Sequence, residues 1–215
     1  IVDQSSFAKM ELVGPSALPA LQRLAVANVD RPPGSVIYTQ MCNERGGIEA
    51  DLTICRLERD RFYIVTGTAY GEHDFGWIKR HLPVDGSVFT FDATSSHAVL
   101  NLCGPRSREV LAKVAEEPVD ADSFKFGQSK RLTVGAAPVL ALRVAHTGDW
   151  GYEPHAPTQC PGHGRRLRLG AGAEFGIANV GYRALNSLRV EKGYVVWASD
   201  VTPDYSPHHA RLEKL

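Results

Sequence analysis

Asp51 is the residue through which this sequence most directly offers chemistry. It lies in Asn43–Ile54, NERGGIEADLTI, just beyond a chain reversal at Gly46 and Gly47, residues free to adopt the backbone angles of a tight turn. Beyond the turn, Ile48, Ala50, Leu52 and Ile54 alternate with Glu49, Asp51 and Thr53. That period of two predicts a half-buried strand with Asp51 on its polar face. A carboxylate fixed there can meet a ligand, accept hydrogen bonds or steer a proton. An ordinary hairpin with a solvated aspartate has the same spacing. A second cluster, Cys160 and His163 with His146 and His155, has a spacing that a metal could use. Closed zinc sites draw on cleaner paired ligands, so no metal is expected.

The elements that must position Asp51 are legible as periodic runs. Val36–Gln40 leads into the turn, and Arg61–Thr66 (RFYIVT) is a strand rich in β-branched and aromatic residues. His73–Leu82 carries a helical pattern through Phe75, Ile78 and Leu82, and Pro83 ends it. Val88–Asp92 and Ala98–Cys103 read as strands, and Arg131–Ala145 as two more, broken near Gly135–Pro138. Ala184–Val190 is helical in pattern and runs to about Glu191, where Gly193 stops it. Antiparallel strands with helices packed on one side give an α+β class.

The chain also echoes itself. Ser5–Pro15 (SSFAKMELVGP) and Ser95–Pro105 (SSHAVLNLCGP) share Ser, Ser, Ala, Leu, Gly and Pro in register. In each, an alternating strand ends at Gly-Pro and a helical pattern follows, burying Leu18, Leu21 and Leu24 after the first and Val110, Leu111 and Val114 after the second. Recurrence of one unit predicts two related lobes, approximately 1–88 and 89–215, with interleaving left open.

Composition bounds the rest. A chain of 215 residues with 43% hydrophobic and 22% charged residues can bury one large core or two smaller ones. Lysine plus arginine equals aspartate plus glutamate at 24 each, so no basic field exists to hold nucleic acid or an anionic membrane. No apolar run approaches the ~18 residues of a membrane helix, and neither partner is expected. Cys42, Cys55, Cys103 and Cys160 form no CxxC pair and read as reduced thiols. His155–Gly172 (HAPTQCPGHGRRLRLGAG) has no apolar period and concentrates Arg165, Arg166 and Arg168, which predicts a disordered loop, with a basic exposed loop that meets a polyglutamate tail as the alternative. The opening Ile1-Val2-Asp3 has neither an initiator methionine nor a signal peptide, so the chain reads as a piece of a longer one.

Three blocks, in order, carry a resemblance: Asn43–Thr53 with Val36–Gln40 before it, His146–Glu153 (HTGDWGYE), and Leu185–Pro207 (LNSLRVEKGYVVWASDVTPDYSP). Together they resemble the aminomethyltransferase family, which comprises the glycine-cleavage T-protein and the folate-binding tails of dimethylglycine and sarcosine dehydrogenases. The resemblance implies two lobes of antiparallel sheet with packed helices. The family's C-terminal β-barrel lobe is expected to be absent here, since Ser206–Leu215 departs from the motif that precedes it. It also implies tetrahydrofolate as cofactor and an N-methyl amine-derived one-carbon unit as substrate, with 5,10-methylenetetrahydrofolate as product. Asp51 matches the catalytic carboxylate that faces the folate's reacting nitrogens, where positive charge develops. Glu153 matches the carboxylate that takes the N–H donors of the pterin's amino-pyrimidine edge. Tyr38, Arg189 and Tyr194 match or adjoin further folate contacts, with core packing or an ion pair as their ordinary alternatives.

Thr66–Ala69 departs from the Ser-Asn-Ala of the T-protein, whereas Asp74–Ile78 and Leu100–Ser107 look like the dehydrogenase tails. There a flavin domain oxidises the amine. No GxGxxG follows a strand here, so FAD is expected only on a linked or associated domain upstream of Ile1. The resemblance places such a protein in a bacterial cytoplasm or a mitochondrial matrix. A non-catalytic regulatory relative and the T-protein itself are the alternatives.

Overall fold

The computed structural model describes residues 1–160 and 169–212. They form two units with exchanged ends: one of Phe7–Thr94 with Val195–Leu215, the other of Ile1–Ser6 with Ser95–Tyr194.

The first unit is built on strands β2 (Ala8–Val13), β3 (Val36–Cys42), β4 (Ile48–Glu58), β5 (Arg61–Thr66) and β6 (Phe89–Asp92), where β1 is Val2–Asp3 of the other unit. They pair antiparallel in the order β3-β4-β5-β2-β6. The alternation of β4 holds residue by residue: Ile48, Ala50, Leu52 and Ile54 are buried, and Glu49, Asp51 and Thr53 are half-buried. Of these, Ala50, Leu52 and Ile54 pack with Leu12, Phe62 and Ile64 of neighbouring strands. Helices α1 (Ala17–Leu24) and α2 (Gly71–His81) complete that core through Leu21 and Ile78. Leu18 and Leu24 are only partly buried; Ala17 and Ala20 take the inner face of α1 with Leu21.

The second unit orders its strands β1-β7-β10-β9-β8, with β7 (His97–Cys103), β8 (Ser129–Val134), β9 (Ala137–Leu142) and β10 (Gly151–Pro157). Its core joins Leu102, Val110, Leu111, Phe124, Leu132 and Tyr152. Helix α3 is Ser107–Ala112 and α4 is Tyr182–Glu191, closed by Gly193 at φ 73°. Both units are α+β, and neither sheet closes into a barrel among the described residues.

The sequence echo is a repeated device. In each unit a strand runs into a glycine at positive φ, 138° at Gly14 and 117° at Gly104, then a proline and a helix. The carbonyl of each glycine accepts the first helical amide, from Ala17 and from Ser107. The basic tract resolves differently from the expectation in its first residues. His155 lies within β10 and is 1% exposed, because β10 pairs on both sides, with β7 and β9. Arg165, Arg166, Arg168 and His163 fall outside the described residues. Cys55 is buried, and Cys42, Cys103 and Cys160 are half-buried free thiols.

Gly47 ties β4 to the end of its unit. A Cβ there would meet the Pro203 carbonyl oxygen at 1.9 Å, while the next amide, Ile48, donates to the Tyr205 carbonyl at 2.9 Å. Backbone meets backbone, so neither side can rotate away. Gly47→Ala is expected to destabilise the unit by about 1–3 kcal/mol and to free residues 203–205. Faster hydrogen exchange at the Ile48 amide is the readout; protection equal to wild type would contradict it.

Candidate functional site

Pairing of β3 with β4 sets Tyr38 opposite Thr53 and Gln40 opposite Asp51. The side chains of Tyr38, Gln40 and Asp51 therefore share one face of the sheet. Gln40 Nε2 donates to Asp51 Oδ1 at 2.9 Å, and the Tyr38 hydroxyl donates to the same carboxylate. Burial pushes Asp51 up to about 6, against the pull of these two hydrogen bonds and with help from the negative charge of Asp74. A carboxylate so placed is mostly ionised at neutral pH yet remains basic enough to take a proton. Burial of the hydroxyl end, reinforced by Asp51, pushes the Tyr38 phenol above its ordinary value, while the residue as a whole is 36% exposed. The buried side-chain oxygen of Gln40, Oε1, has no hydrogen-bond partner among the described residues.

A second set of polar groups backs this strand. Thr66 Oγ1 lies 2.5 Å from Asp74 Oδ2 and 3.4 Å from the Asp51 carbonyl oxygen. Asp74, on the first turn of α2, is 1% exposed, and burial raises it above the usual carboxylate range. His73 Nδ1 meets Asp74 Oδ1 at 3.0 Å, and its Nε2 sits 3.7 Å from Glu49 Oε2. Asn43 Nδ2 holds the other Glu49 oxygen at 2.8 Å. The Trp197 ring lies against His73 and edge-on to Tyr70, with its Nε1 donating to the Ile48 carbonyl at 2.7 Å. The chain of bonds ends on the backbone of residue 51 rather than on its carboxylate. It fixes the strand and does not conduct a proton to the acid.

In the other unit Glu153 stands on β10, and among the described residues no lysine or arginine pairs with it. Among the described residues, Asn101 Nδ2 donates to its Oε1 at 3.3 Å, and His155 Nε2 lies 4.0 Å from its Oε2. Burial alone pushes Glu153 up to about 7. Asn101 is 1% exposed and also donates to Gln4 Oε1 at 3.1 Å.

Arg189 and Tyr194 come together in the same unit. Arg189 is buried on α4; its Nε and Nη2 donate to Asn186 Oδ1, and its Nη1 to the Tyr194 carbonyl at 2.8 Å. The Tyr194 ring is 43% exposed and faces His146. Burial, then the Arg189 charge, lowers the His146 pKa.

The site residues predicted from sequence thus fall as Tyr38 with Asp51, Arg189 with Tyr194, and Glu153 beside Asn101. Sequence reading missed Gln40, Asp74, His73 and Asn101. Asn101 did leave a signal: it is the polar interruption of the apolar run Ala98–Cys103.

The sequence profile described as the GCVT N-terminal domain matches residues 1–215. The chain belongs to that family. Among its relatives, human mitochondrial sarcosine dehydrogenase is 36% identical over 99% of this chain and 25% of its own length. The mouse mitochondrial pyruvate dehydrogenase phosphatase regulatory subunit is 34% identical over 96% of this chain and 24% of its own. The chain therefore spans about a quarter of the length of these relatives. The crystal structure of glycine cleavage system aminomethyltransferase T from Bartonella henselae superposes with a TM-score of 0.83 at 26% identity. That match covers 96% of this chain and 54% of the other. This GCVT domain is thus aminomethyltransferase-like in fold and related to both the dehydrogenases and the glycine-cleavage enzyme. None of its described helices is long and apolar enough to cross a membrane.

Proposed function

We propose that this domain binds tetrahydrofolate and transfers to it a one-carbon unit derived from an N-methyl amine, as a module of a dimethylglycine or sarcosine dehydrogenase-like protein. One observation above the others supports the reading: Asp51, fixed by Tyr38 and Gln40, ionises close to neutrality. Tetrahydrofolate, when bound, supplies the nucleophilic amines that receive the carbon. Asp51 faces those nitrogens, stabilises the positive charge that builds there and accepts a proton. The partly exposed Tyr38 ring lines the pterin, while its hydroxyl holds the carboxylate. Glu153 accepts the pyrimidine N–H donors. The exposed Tyr194 ring, positioned by Arg189, is a further folate contact. Oxidation of the amine belongs to FAD on a linked or associated domain, in a mitochondrial matrix or a bacterial cytoplasm.

Isothermal titration of tetrahydrofolate into the full protein tests this directly: a single saturable site is expected. The similarity to a phosphatase regulatory subunit favours one competing reading, a non-catalytic regulatory relative. No folate binding, together with a stable protein partner in pull-downs, would establish that alternative.

A further inference from the structure

Asn101 is a buried amide with an unequal account. Both hydrogens of its Nδ2 have acceptors, Gln4 Oε1 at 3.1 Å and Glu153 Oε1 at 3.3 Å. Its Oδ1 is buried and has no hydrogen-bond partner among the described residues. Burying a carbonyl oxygen without a donor is unfavourable, and native structures keep few of them. While Glu153 is ionised the orientation is fixed, because reversing the amide would set its oxygen against the carboxylate and against Gln4 Oε1. Gln4 is 2% exposed and β7 is paired to β1 and β10 on its two sides, so Asn101 is held firmly in place. Side by side, then, among the described residues, stand a carboxylate that meets no lysine or arginine and an amide oxygen with no donor. That is an arrangement of acceptors awaiting hydrogens.

We infer that Asn101 is a ligand-recognition residue: its Oδ1 accepts one hydrogen of the exocyclic 2-amino group of the pterin, while Glu153 accepts the other together with the adjacent ring N–H. This rests on the folate reading above and deepens it. A 2-amino-4-oxopyrimidine edge carries three hydrogens on two neighbouring nitrogens. A carboxylate has two oxygens to offer and satisfies two of them. The third hydrogen points past the carboxylate and needs a separate acceptor, which Asn101 supplies. A site with Glu153 alone would leave that hydrogen and the amide oxygen both unsatisfied. Asn101 therefore discriminates a primary 2-amino group from a substituted or missing one, and polar mismatches of this kind are rejected far more strongly than a change of a methylene.

The test pairs a protein change with a ligand change, read by calorimetry on the full protein. Three ligands are used: tetrahydrofolate, its 2-desamino-2-methyl analogue, and its N2-monomethyl analogue. Asn101→Ala should weaken tetrahydrofolate about tenfold and leave the affinity for the 2-methyl analogue within about twofold of wild type. On the wild-type protein, which needs no variant to fold, the N2-monomethyl analogue should bind at least about tenfold more weakly than tetrahydrofolate. Equal loss for both ligands in Asn101→Ala would reveal a merely structural residue and overturn the assignment. So would an N2-monomethyl analogue that binds the wild type as tightly as tetrahydrofolate. If tetrahydrofolate itself fails to bind the wild type, the folate reading falls first and this inference with it.

Discussion

Asp51→Asn is expected to lower one-carbon transfer by roughly 10²- to 10⁴-fold while folate binding changes by no more than a few-fold. The substitution keeps an oxygen to receive the Gln40 and Tyr38 hydrogen bonds, so the strand pair and its face should survive. What disappears is the negative charge opposite the reacting nitrogens and the ability to take a proton. The pH profile adds a second readout. Wild-type transfer should rise with pH through about 6 as Asp51 ionises, and this acidic limb should vanish in the variant. In the full protein, amine oxidation should proceed at its wild-type rate. Transfer that survives Asp51→Asn unchanged would remove the role assigned to this residue.

The face that presents Asp51 was legible because side chains along a regular strand alternate between its two faces. Once Ile48, Ala50, Leu52 and Ile54 were read as core, Asp51 had to lie on the other face. The repeated strand-Gly-Pro-helix device was legible for a related reason: each piece of it is local backbone chemistry. The partners of Asp51 were not. Gln40 meets it only through the register of β3 against β4, and pattern alone leaves that register open. Asp74 was not singled out as a site residue, because nothing local says that Thr66 lies against it. His155 was misplaced for want of the same information. Its flanks looked like loop, whereas pairing on both sides draws it into a buried strand. The exchange of chain ends between the two units likewise depends on contacts far apart in sequence.

Glu153→Gln should make its unit more stable at the same time as it weakens folate binding. The direction follows from the ionisation of the wild-type residue. Burial raises it from 4.5 to about 7, so between those values the native state keeps a proton that the unfolded chain has released. Native stability therefore falls as pH rises through that window, and the loss is complete above about 7. The side chain is 14% exposed, so solvent screening reduces the penalty little, and its upper limit is about 3 kcal/mol. Glutamine keeps an oxygen for the Asn101 Nδ2 donor and removes the charge. Denaturation followed by hydrogen exchange in β7 and β10 should show variant and wild type alike at pH 4. They should separate progressively above pH 5, with the variant the more stable. Parallel curves across that range would mean that Glu153 is not held as a desolvated charge. The separation would place Glu153 among residues retained against stability for what they bind, because a carboxylate buried without a cation serves the fold less well than its neutral amide.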